Sequence, residues 1–174
     1  LHEDETVWDL YCGIGTISLF LSQKADKVYG VEIVEQAIID AKENAQRNHV
    51  SNVEFTCQDA GEFMVEFAKQ QKHIDVVMVD PPRKGCSQVF LDQLVTLSPD
   101  KIIYVSCDVA TQARDIAYLQ EHNYQVDICQ PVDMFPQTNG DILLQSTLVW
   151  IGSRKLTSIR TYRSMLRRLF FCPN

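Results

Sequence analysis

Short apolar runs alternate with amphipathic stretches along most of this chain. The apolar runs have the length of buried strands and predict β-structure at residues 6–10, 27–33, 53–57, 74–79, 101–106 and 125–129. The stretches between them predict helices at residues 17–23, 35–48, 62–71, 88–97 and 111–122. Regular alternation of strand and helix is typical of a doubly wound α/β fold with a mostly parallel sheet.

A last apolar run, at residues 142–151, predicts one more strand, which we expect to be antiparallel. A chain of 174 residues is long enough for one domain with a single core. We therefore predict one domain over residues 1–151, followed by a tail over residues 152–174.

Composition and cysteine usage favour a soluble cytoplasmic protein. Hydrophobic residues make up 45% of the chain and charged residues 22%, which is ordinary for a globular domain. No apolar run approaches the roughly 20 residues that cross a membrane, and we expect no secretory signal. The six cysteines show no C-x-x-C spacing, so we expect reduced thiols, with neither a disulfide framework nor a zinc site.

Charge is unevenly distributed along the chain, whose net charge is −7. All 23 acidic residues precede Ser153, whereas six of the 16 basic residues lie in the last 21 positions. An acidic body binds a phosphate backbone poorly by itself. The basic tail is either an RNA-contacting arm or a frayed terminus without fixed structure, and the second interpretation is favoured.

The first predicted strand leads into a glycine turn that is typical of a cofactor site. From Val7 to Thr16 the sequence is VWDLYCGIGT, and Gly13 and Gly15 allow the backbone to turn sharply and to approach a ligand closely. The third glycine of a dinucleotide fingerprint is replaced by Ser18. Asp9 is also atypical for a pyrophosphate site and suits a cationic group such as an ammonium.

Two further acids follow the next strands. Glu32 ends the second strand, where a carboxylate can bind both ribose hydroxyls of an adenosine. Asp59 follows the third strand and is a candidate partner for an adenine amino group, although an Asp there is also a good helix N-cap.

Together these residues resemble the class I S-adenosylmethionine-dependent methyltransferases. The resemblance extends from residue 6 to about residue 138. It implies a Rossmann-like α/β fold with a seven-stranded, doubly wound sheet whose last strand is reversed. It also implies S-adenosylmethionine as the cofactor.

The second half of the chain narrows the resemblance. The segments DLYCGIGT, GVE, DPPRKG and SCD together resemble the RNA uracil-5-methyltransferases, which make 5-methyluridine in ribosomal and transfer RNA. That resemblance implies a nucleophile at Cys107 and places further residues at the cofactor site, namely Tyr11, Thr16, Glu32, Asp59 and Asp80. Arg83 is either a contact to the target base or phosphate or one partner of a structural salt bridge.

A thiol suits this chemistry because carbon 5 of uracil is too weak a nucleophile to accept a methyl group unaided. A thiolate that adds to carbon 6 creates an enolate, which can attack the methyl group. Cys107 follows a predicted central strand, where α/β folds bind ligands. Because the thiol must lose its proton, we expect a partly open setting with a positive neighbour, either Arg83 or Arg114.

The resemblance ends after Thr138. At the positions where the family has a His and the general-base Glu, this chain has Gly140 and Ile142. Asp141 is one position away and shorter, and neighbouring side chains of a strand face opposite ways. We therefore expect cofactor binding and the thiol adduct, but poor turnover.

Three functions stay open at this point. The favoured one is methylation of a specific uridine, more in ribosomal than in transfer RNA, with RNA recognised mainly by a region upstream of residue 1. The alternatives are an NAD-dependent oxidoreductase, which Glu32 allows, and a non-catalytic cofactor-binding or RNA-accessory domain. The sequence does not indicate an oligomeric state.

Overall fold

The structure, a computed structural model, describes residues 1–69, 73–133 and 145–153. Its seven strands are β1 (Thr6–Leu10), β2 (Lys27–Glu32), β3 (Val53–Cys57), β4 (Val76–Val79), β5 (Lys101–Ser106), β6 (Tyr124–Asp133) and β7 (Gln145–Ser153). Five helices alternate with them, namely α1 (Thr16–Leu21), α2 (Glu35–Arg47), α3 (Ala60–Ala68), α4 (Gln88–Leu97) and α5 (Val109–Glu121). The alternation predicted from the hydrophobic pattern is confirmed.

All seven strands form one sheet in the order β3-β2-β1-β4-β5-β7-β6. The first five strands run parallel, and β7 lies between β5 and β6, antiparallel to both. The chain therefore progresses outward from β1 in one direction and from β4 in the other. Ligands bind such sheets beyond the carboxyl ends of the strands, where the order reverses.

Helices cover both faces of the sheet. The larger core packs α3, α4 and α5 against side chains that point to one face, including Trp8, Leu10, Val79 and Tyr104. On the other face, residues of α1 pack on Val7, Val28 and Met78. Side chains of a strand alternate between faces, so Asp9 lies on the α1 face although Trp8 and Leu10 lie on the other.

Three helices begin with a side-chain cap, and these caps explain most differences from the predicted helix starts. Asp59 caps α3, Ser87 caps α4 and Asp108 caps α5, each accepting backbone N–H groups of the first turn. The helices predicted to begin at residues 62 and 111 therefore begin two residues earlier.

The last strand extends two residues beyond the domain boundary predicted at residue 151. Strand β7 continues to Ser153 and pairs with β5 and β6, so residues 152 and 153 belong to the sheet and not to the tail. The prediction for the rest of the tail lies outside the described residues. Within the described part of the chain, no helix is long and apolar enough to cross a membrane.

Candidate active site

The glycine turn after β1 has three residues in the left-handed region. Tyr11 has a φ of 74°, Gly13 of 54° and Gly15 of 81°. Both Tyr11 and Cys12 donate their backbone N–H groups to the carbonyl of Val31, at 2.9 and 3.0 Å. This pairing fixes the turn against the end of β2. A positive φ is uncommon for a residue as bulky as tyrosine, and such backbone strain clusters at functional sites.

Gly15 has no room for a side chain. A Cβ built there would lie 2.7 Å from the ring of Phe55 and 3.1 Å from the Cβ of Ala41. Beside Gly13, in contrast, a Cβ would meet no atom within 4 Å. The turn is thus supported from below by Phe55 and open above, which leaves room for a ligand on the open side.

The carboxylate of Glu32 faces this open turn. Its Oε2 accepts the N–H of Gly13 at 3.2 Å, and its Oε1 accepts those of Ile33 and Val34 at 2.9 and 3.1 Å. These bonds orient the carboxylate and tie the end of β2 to the turn. A carboxylate has about four acceptor sites, so one site, on Oε2, is still free for a ligand hydroxyl.

Asp9 is buried beneath the turn. Its Oδ2 accepts the hydroxyl of Ser18 at 2.6 Å, and its Oδ1 has no partner among the described residues although the side chain is fully buried. The pKa of Asp9 is raised to about 7, chiefly by burial and to a smaller extent by the charge of Asp80, against the lowering effect of the hydrogen bond from Ser18. Burial of a carboxylate oxygen without a partner is costly.

The surroundings of the turn are negative. Asp80 follows β4, the neighbour of β1 in the sheet, and desolvation raises its pKa. The pKa of Tyr11 is raised above its usual range by desolvation first, and Asp59 and Glu32 are among the negative groups that raise it further. The site therefore attracts a cation and repels an anion such as a pyrophosphate.

Apolar side chains flank the carboxylates. Ile14, Ile33 and Val34 are 49, 65 and 53% exposed, which is unusual for aliphatic residues beside a buried core. They border Glu32 and offer a surface for a flat ring. Asp59 caps α3 through Oδ1 alone, which accepts the N–H groups of Gly61 and Glu62.

These observations fit a ligand with a positive centre, a hydroxyl group and a flat aromatic ring. The predicted positions that meet around the turn are Tyr11, Gly13, Gly15, Glu32 and Asp80. Thr16 begins α1 next to them and is exposed. Cys12 packs with Phe55, Ile38 and Ala41 below the turn, as expected from the sequence.

Cys107 lies two strands from the turn, directly after β5. Its side chain is partly exposed, and its thiol is free. The hydroxyl of Ser106 lies 3.0 Å from both the backbone N and the carbonyl O of Asp108, and Asp108 caps α5 through a 2.9 Å bond from the N–H of Thr111. The residues on either side of Cys107 are thereby fixed.

Of the two positive neighbours predicted for Cys107, only Arg83 stays available. Bonds from Thr111 chiefly lower the pKa of Asp108, and the charge of Arg83 lowers it further, so Arg83 lies near the residue that follows Cys107. For Arg114 the structure shows other partners. Its guanidinium is bonded to Asp115 and to the carbonyls of Lys84 and Cys86.

Sequence reasoning missed the residue that organises this half of the site. Asp115 is fully buried on α5 and contacts Tyr104 of β5 and the backbone of Cys86. The signal was present, because Asp115 falls on the same stripe of α5 as the buried Gln112 and Leu119. A charged residue on a buried stripe requires partners.

The predicted departures at Gly140, Asp141 and Ile142 lie outside the described residues. Among the described residues, one cluster has metal-binding spacing, formed by His73, Asp75 and Asp100 before β4 and β5. It lies at the amino edge of the sheet, opposite the glycine turn. Asp75 already accepts the N–H of Thr6 at 2.7 Å, and His73 lies 3.2 Å from Asp100.

Comparisons with known proteins agree with this geometry. The family model described as tRNA (Uracil-5-)-methyltransferase matches residues 2–145. An uncharacterized RNA methyltransferase of Clostridium tetani is 54% identical over 138 residues, which are 79% of this chain and 30% of that protein. One from Oceanobacillus iheyensis is 50% identical over 139 residues, 80% of this chain and 30% of that protein. The chain thus spans about 30% of the length of these relatives.

Solved structures share the fold. The tRNA (uracil-54, C5)-methyltransferase of Pyrococcus abyssi, crystallised with S-adenosyl-L-homocysteine, is 34% identical and superposes with a TM-score of 0.72 over 87% of this chain and 35% of that chain. A precorrin-6y C5,15-methyltransferase of Geobacter metallireducens, 17% identical, has a TM-score of 0.68 over 88% of this chain and 82% of that chain. The predicted Rossmann-like methyltransferase fold with a reversed last strand is confirmed.

Proposed function

This chain belongs to the tRNA (uracil-5-)-methyltransferase family, and on that premise we propose that it methylates carbon 5 of a uridine in RNA. S-adenosylmethionine is the proposed methyl donor, and Cys107 the proposed nucleophile. The observation that carries the proposal is the pairing of a negative, open glycine turn with a partly exposed thiol at the same edge of one sheet.

The donor set of the turn suits S-adenosylmethionine. Glu32 would bind a ribose hydroxyl, and Ile14 and Ile33 would pack against the adenine. Asp9 and Asp80 would face the positive groups of the methionine end, which explains why the buried Oδ1 of Asp9 has no partner among the described residues. When bound, the cofactor supplies an electrophilic methyl group.

The same negative groups argue against the NAD-dependent alternative. A pyrophosphate carries two negative charges, and here it would face Asp9, Glu32 and Asp80. Calorimetric titration with S-adenosylmethionine and NAD distinguishes the two functions. Binding of NAD in preference to S-adenosylmethionine would contradict the proposal.

Cys107 would act on the pyrimidine ring. Its thiolate forms a bond to carbon 6, and the electron pair of the 5,6 double bond moves toward the carbonyl oxygen at carbon 4 as an enolate. Carbon 5 of the enolate then accepts the methyl group. A base removes the proton from carbon 5, and breakage of the sulfur–carbon bond restores the double bond and the thiolate.

Arg83 is proposed to serve both the thiol and the substrate. Its charge acts on Asp108, the residue that follows Cys107. It also follows two prolines on an exposed loop, where it can contact a phosphate or the target base. The sequence left a structural salt bridge open as an alternative role for Arg83. In the described residues, it is Arg114 that forms such a bridge, with Asp115.

The adduct is the step to test first. RNA that contains 5-fluorouridine has no removable proton at carbon 5, so it should trap Cys107 covalently in the presence of S-adenosylmethionine. We expect a shifted band in denaturing gels, lost in Cys107→Ser and kept in Cys129→Ser, which alters another exposed thiol. An adduct that persists without Cys107 would refute its role.

Turnover is proposed to be slow because Ile142 stands where the family has its general base. Such a protein forms the adduct with ordinary RNA but releases product slowly. Ile142→Glu is expected to raise the rate of multiple turnover without changing the rate of trapping by 5-fluorouridine RNA. Normal multiple turnover by the unchanged protein would contradict this part of the proposal. Complete absence of the adduct would also contradict it and would favour the non-catalytic alternative.

We propose ribosomal RNA as the substrate. We also propose that a region upstream of residue 1 provides most of its recognition. Transfer RNA is the alternative, supported by the descriptions of the family and of the Pyrococcus abyssi enzyme. Transfer of a radiolabelled methyl group to each purified RNA by the full-length protein distinguishes the two. Labelling of transfer RNA alone would overturn the preference for ribosomal RNA.

A further inference from the structure

A buried carboxylate links the two loops that carry the proposed chemistry. Asp115 lies in the second turn of α5 and is 0% exposed. Its Oδ2 accepts the phenol of Tyr104 at 2.7 Å and the backbone N–H of Cys86 at 2.8 Å, and its Oδ1 accepts the Nε–H of Arg114 at 2.8 Å. One side chain thus contacts β5, α5 and the loop after β4.

Helix α5 holds that loop at three more backbone atoms. Arg114 donates through Nη2 to the carbonyls of Lys84 and Cys86, at 3.2 and 3.1 Å. The hydroxyl of Thr111 lies 3.0 Å from the carbonyl of Arg83. Every one of these contacts is to main chain, so the helix holds the course of the loop and leaves the side chains of Arg83 and Lys84 exposed.

Gly85 shows how closely the loop approaches the helix. Its φ is +74°, and a Cβ built there would lie 2.6 Å from Nη2 of Arg114 and 2.8 Å from Oδ2 of Asp115. No side chain fits between loop and helix at this residue. The network also surrounds a second thiol, since burial raises the pKa of Cys86 to about 12 and its sulfur lies 3.7 Å from the phenol of Tyr104. Cys86 is therefore a packing residue and not a competing nucleophile.

We infer that Asp115 is a positioning residue that sets the place of Arg83 relative to Cys107. The helix that bears Asp115 begins directly after the Cys107 loop, and the loop that it holds begins at Asp80. Asp115 contacts neither of the reacting groups; it acts through the backbone of residues 83–86. The inference rests on the proposed function for its catalytic consequence but not for the anchoring itself.

The substitution Asp115→Asn removes one acceptor and the charge with little change of shape. An amide has a single acceptor oxygen, and its NH2 group would face a donor that Asp115 now satisfies, either the N–H of Cys86 or the guanidinium. A second variant, Arg114→Lys, keeps the positive charge but loses the planar fork that reaches two carbonyls. The matched control is Asp92→Asn, an exposed carboxylate that accepts the phenol of Tyr118 between α4 and α5.

The anchoring is tested by trypsin under native conditions, because Arg83 and Lys84 are exposed cleavage sites on the held loop. Fragment masses report cleavage at each site separately. Both variants should be cut after residue 83 or 84 about tenfold faster than the unchanged protein, as expected for loss of a hydrogen bond to a charged group. Cleavage elsewhere should stay within about twofold, and Asp92→Asn should behave as the unchanged protein. Unchanged cleavage of the loop, or equal acceleration at all sites, would overturn the inference.

The positioning is tested by the trapping rate with 5-fluorouridine RNA in the full-length protein. Asp115→Asn should slow trapping about tenfold while the dissociation constant of S-adenosylmethionine changes by less than about threefold, because the groups of the glycine turn are untouched. Trapping at the unchanged rate would overturn the positioning role. If the unchanged protein forms no adduct, the proposed function fails, whereas the trypsin result still decides the anchoring.

Discussion

At the scale of single residues, the site depends on groups kept in costly states. Tyr11 holds a left-handed backbone, and Asp9 keeps a buried carboxyl with one unpartnered oxygen among the described residues. Each cost is understandable if the residue contacts a ligand that offsets it. The pKa of Asp9 decides whether this carboxyl is ionised when the ligand binds.

The pH dependence of Asp9 follows from the direction of its shift. Its pKa rises from the ordinary 3.8 to about 7, so between these values the folded protein holds a proton that the unfolded chain has released. Stability from this group therefore falls as the pH rises through that window, and Asp9→Asn should raise the melting temperature at pH 8 more than at pH 5. A larger gain at pH 5 would contradict the shift.

Cofactor affinity should show the opposite trend. A positive ligand group is attracted by ionised Asp9, so the affinity of the unchanged protein for S-adenosylmethionine should increase as the pH rises through about 7. Asp9→Asn should bind more weakly and lose this increase. Titration calorimetry at pH 6 and pH 8 measures both. A pH profile that is identical in the two proteins would show that Asp9 does not face the positive end of the ligand.

At the scale of elements, the start of α5 is the most consequential junction. Asp108 accepts the N–H and the hydroxyl of Thr111, at 2.9 and 3.1 Å, and its own N–H lies 3.0 Å from the hydroxyl of Ser106. Residues 106–111 thus end β5, begin α5 and fix the chain on both sides of Cys107. The helix cap here therefore lies next to the proposed nucleophile.

Loss of this cap should have two separable effects. Asp108→Ala removes the acceptor for the first turn and should lower the free energy of unfolding by about 1 kcal/mol. It should also slow trapping of 5-fluorouridine RNA, because Cys107 loses a fixed neighbour. Ser87→Ala, which removes the 3.2 Å cap of α4, is the control and should lower stability by a similar amount without slowing trapping. Equal trapping rates in both variants would limit Asp108 to a structural role.

At the scale of the whole molecule, the two edges of the sheet have different tasks. The carboxyl edge gathers the glycine turn, four acids and Cys107. The amino edge holds a buried ion pair between Glu5 and Lys101, which are 8 and 5% exposed. The carboxylate of Glu5 also accepts the N–H of His2 at 2.7 Å. This pair joins the segment before β1 to the start of β5.

Breaking that pair should affect stability and not ligand binding. Glu5→Gln breaks the buried ion pair by removing the charge of Glu5 and should lower the free energy of unfolding by about 3 kcal/mol or more. The dissociation constant of S-adenosylmethionine at a temperature where the variant is folded should stay unchanged, because the cofactor groups lie at the opposite edge. Glu54→Gln, which removes an exposed partner of Lys27, serves as control and should cost less than about 1 kcal/mol. A weakened affinity in Glu5→Gln would show that the edges are coupled.

Much of the fold follows from local pattern. Each predicted strand and helix exists, and most boundaries differ by only a few residues. The starts of α3 and α5 differ from the prediction because Asp59 and Asp108 act as caps. Asp59 is also a candidate ligand contact from the sequence. One side chain can both cap a helix and contact a ligand, and composition alone does not show which of these roles it has.

The sequence by itself determined the class of fold, the family and the identity of the glycine turn and the thiol, because periodicity and short motifs are local properties. Tertiary structure alone decided which groups meet. In the structure, Arg114 bonds to Asp115 and to the loop after β4, and the charge of Arg83 acts on Asp108. Asp9 is buried, and one of its oxygens has no partner among the described residues. These outcomes depend on distances between elements remote in the chain, and hydrogen bonding, burial and charge act through distance in space.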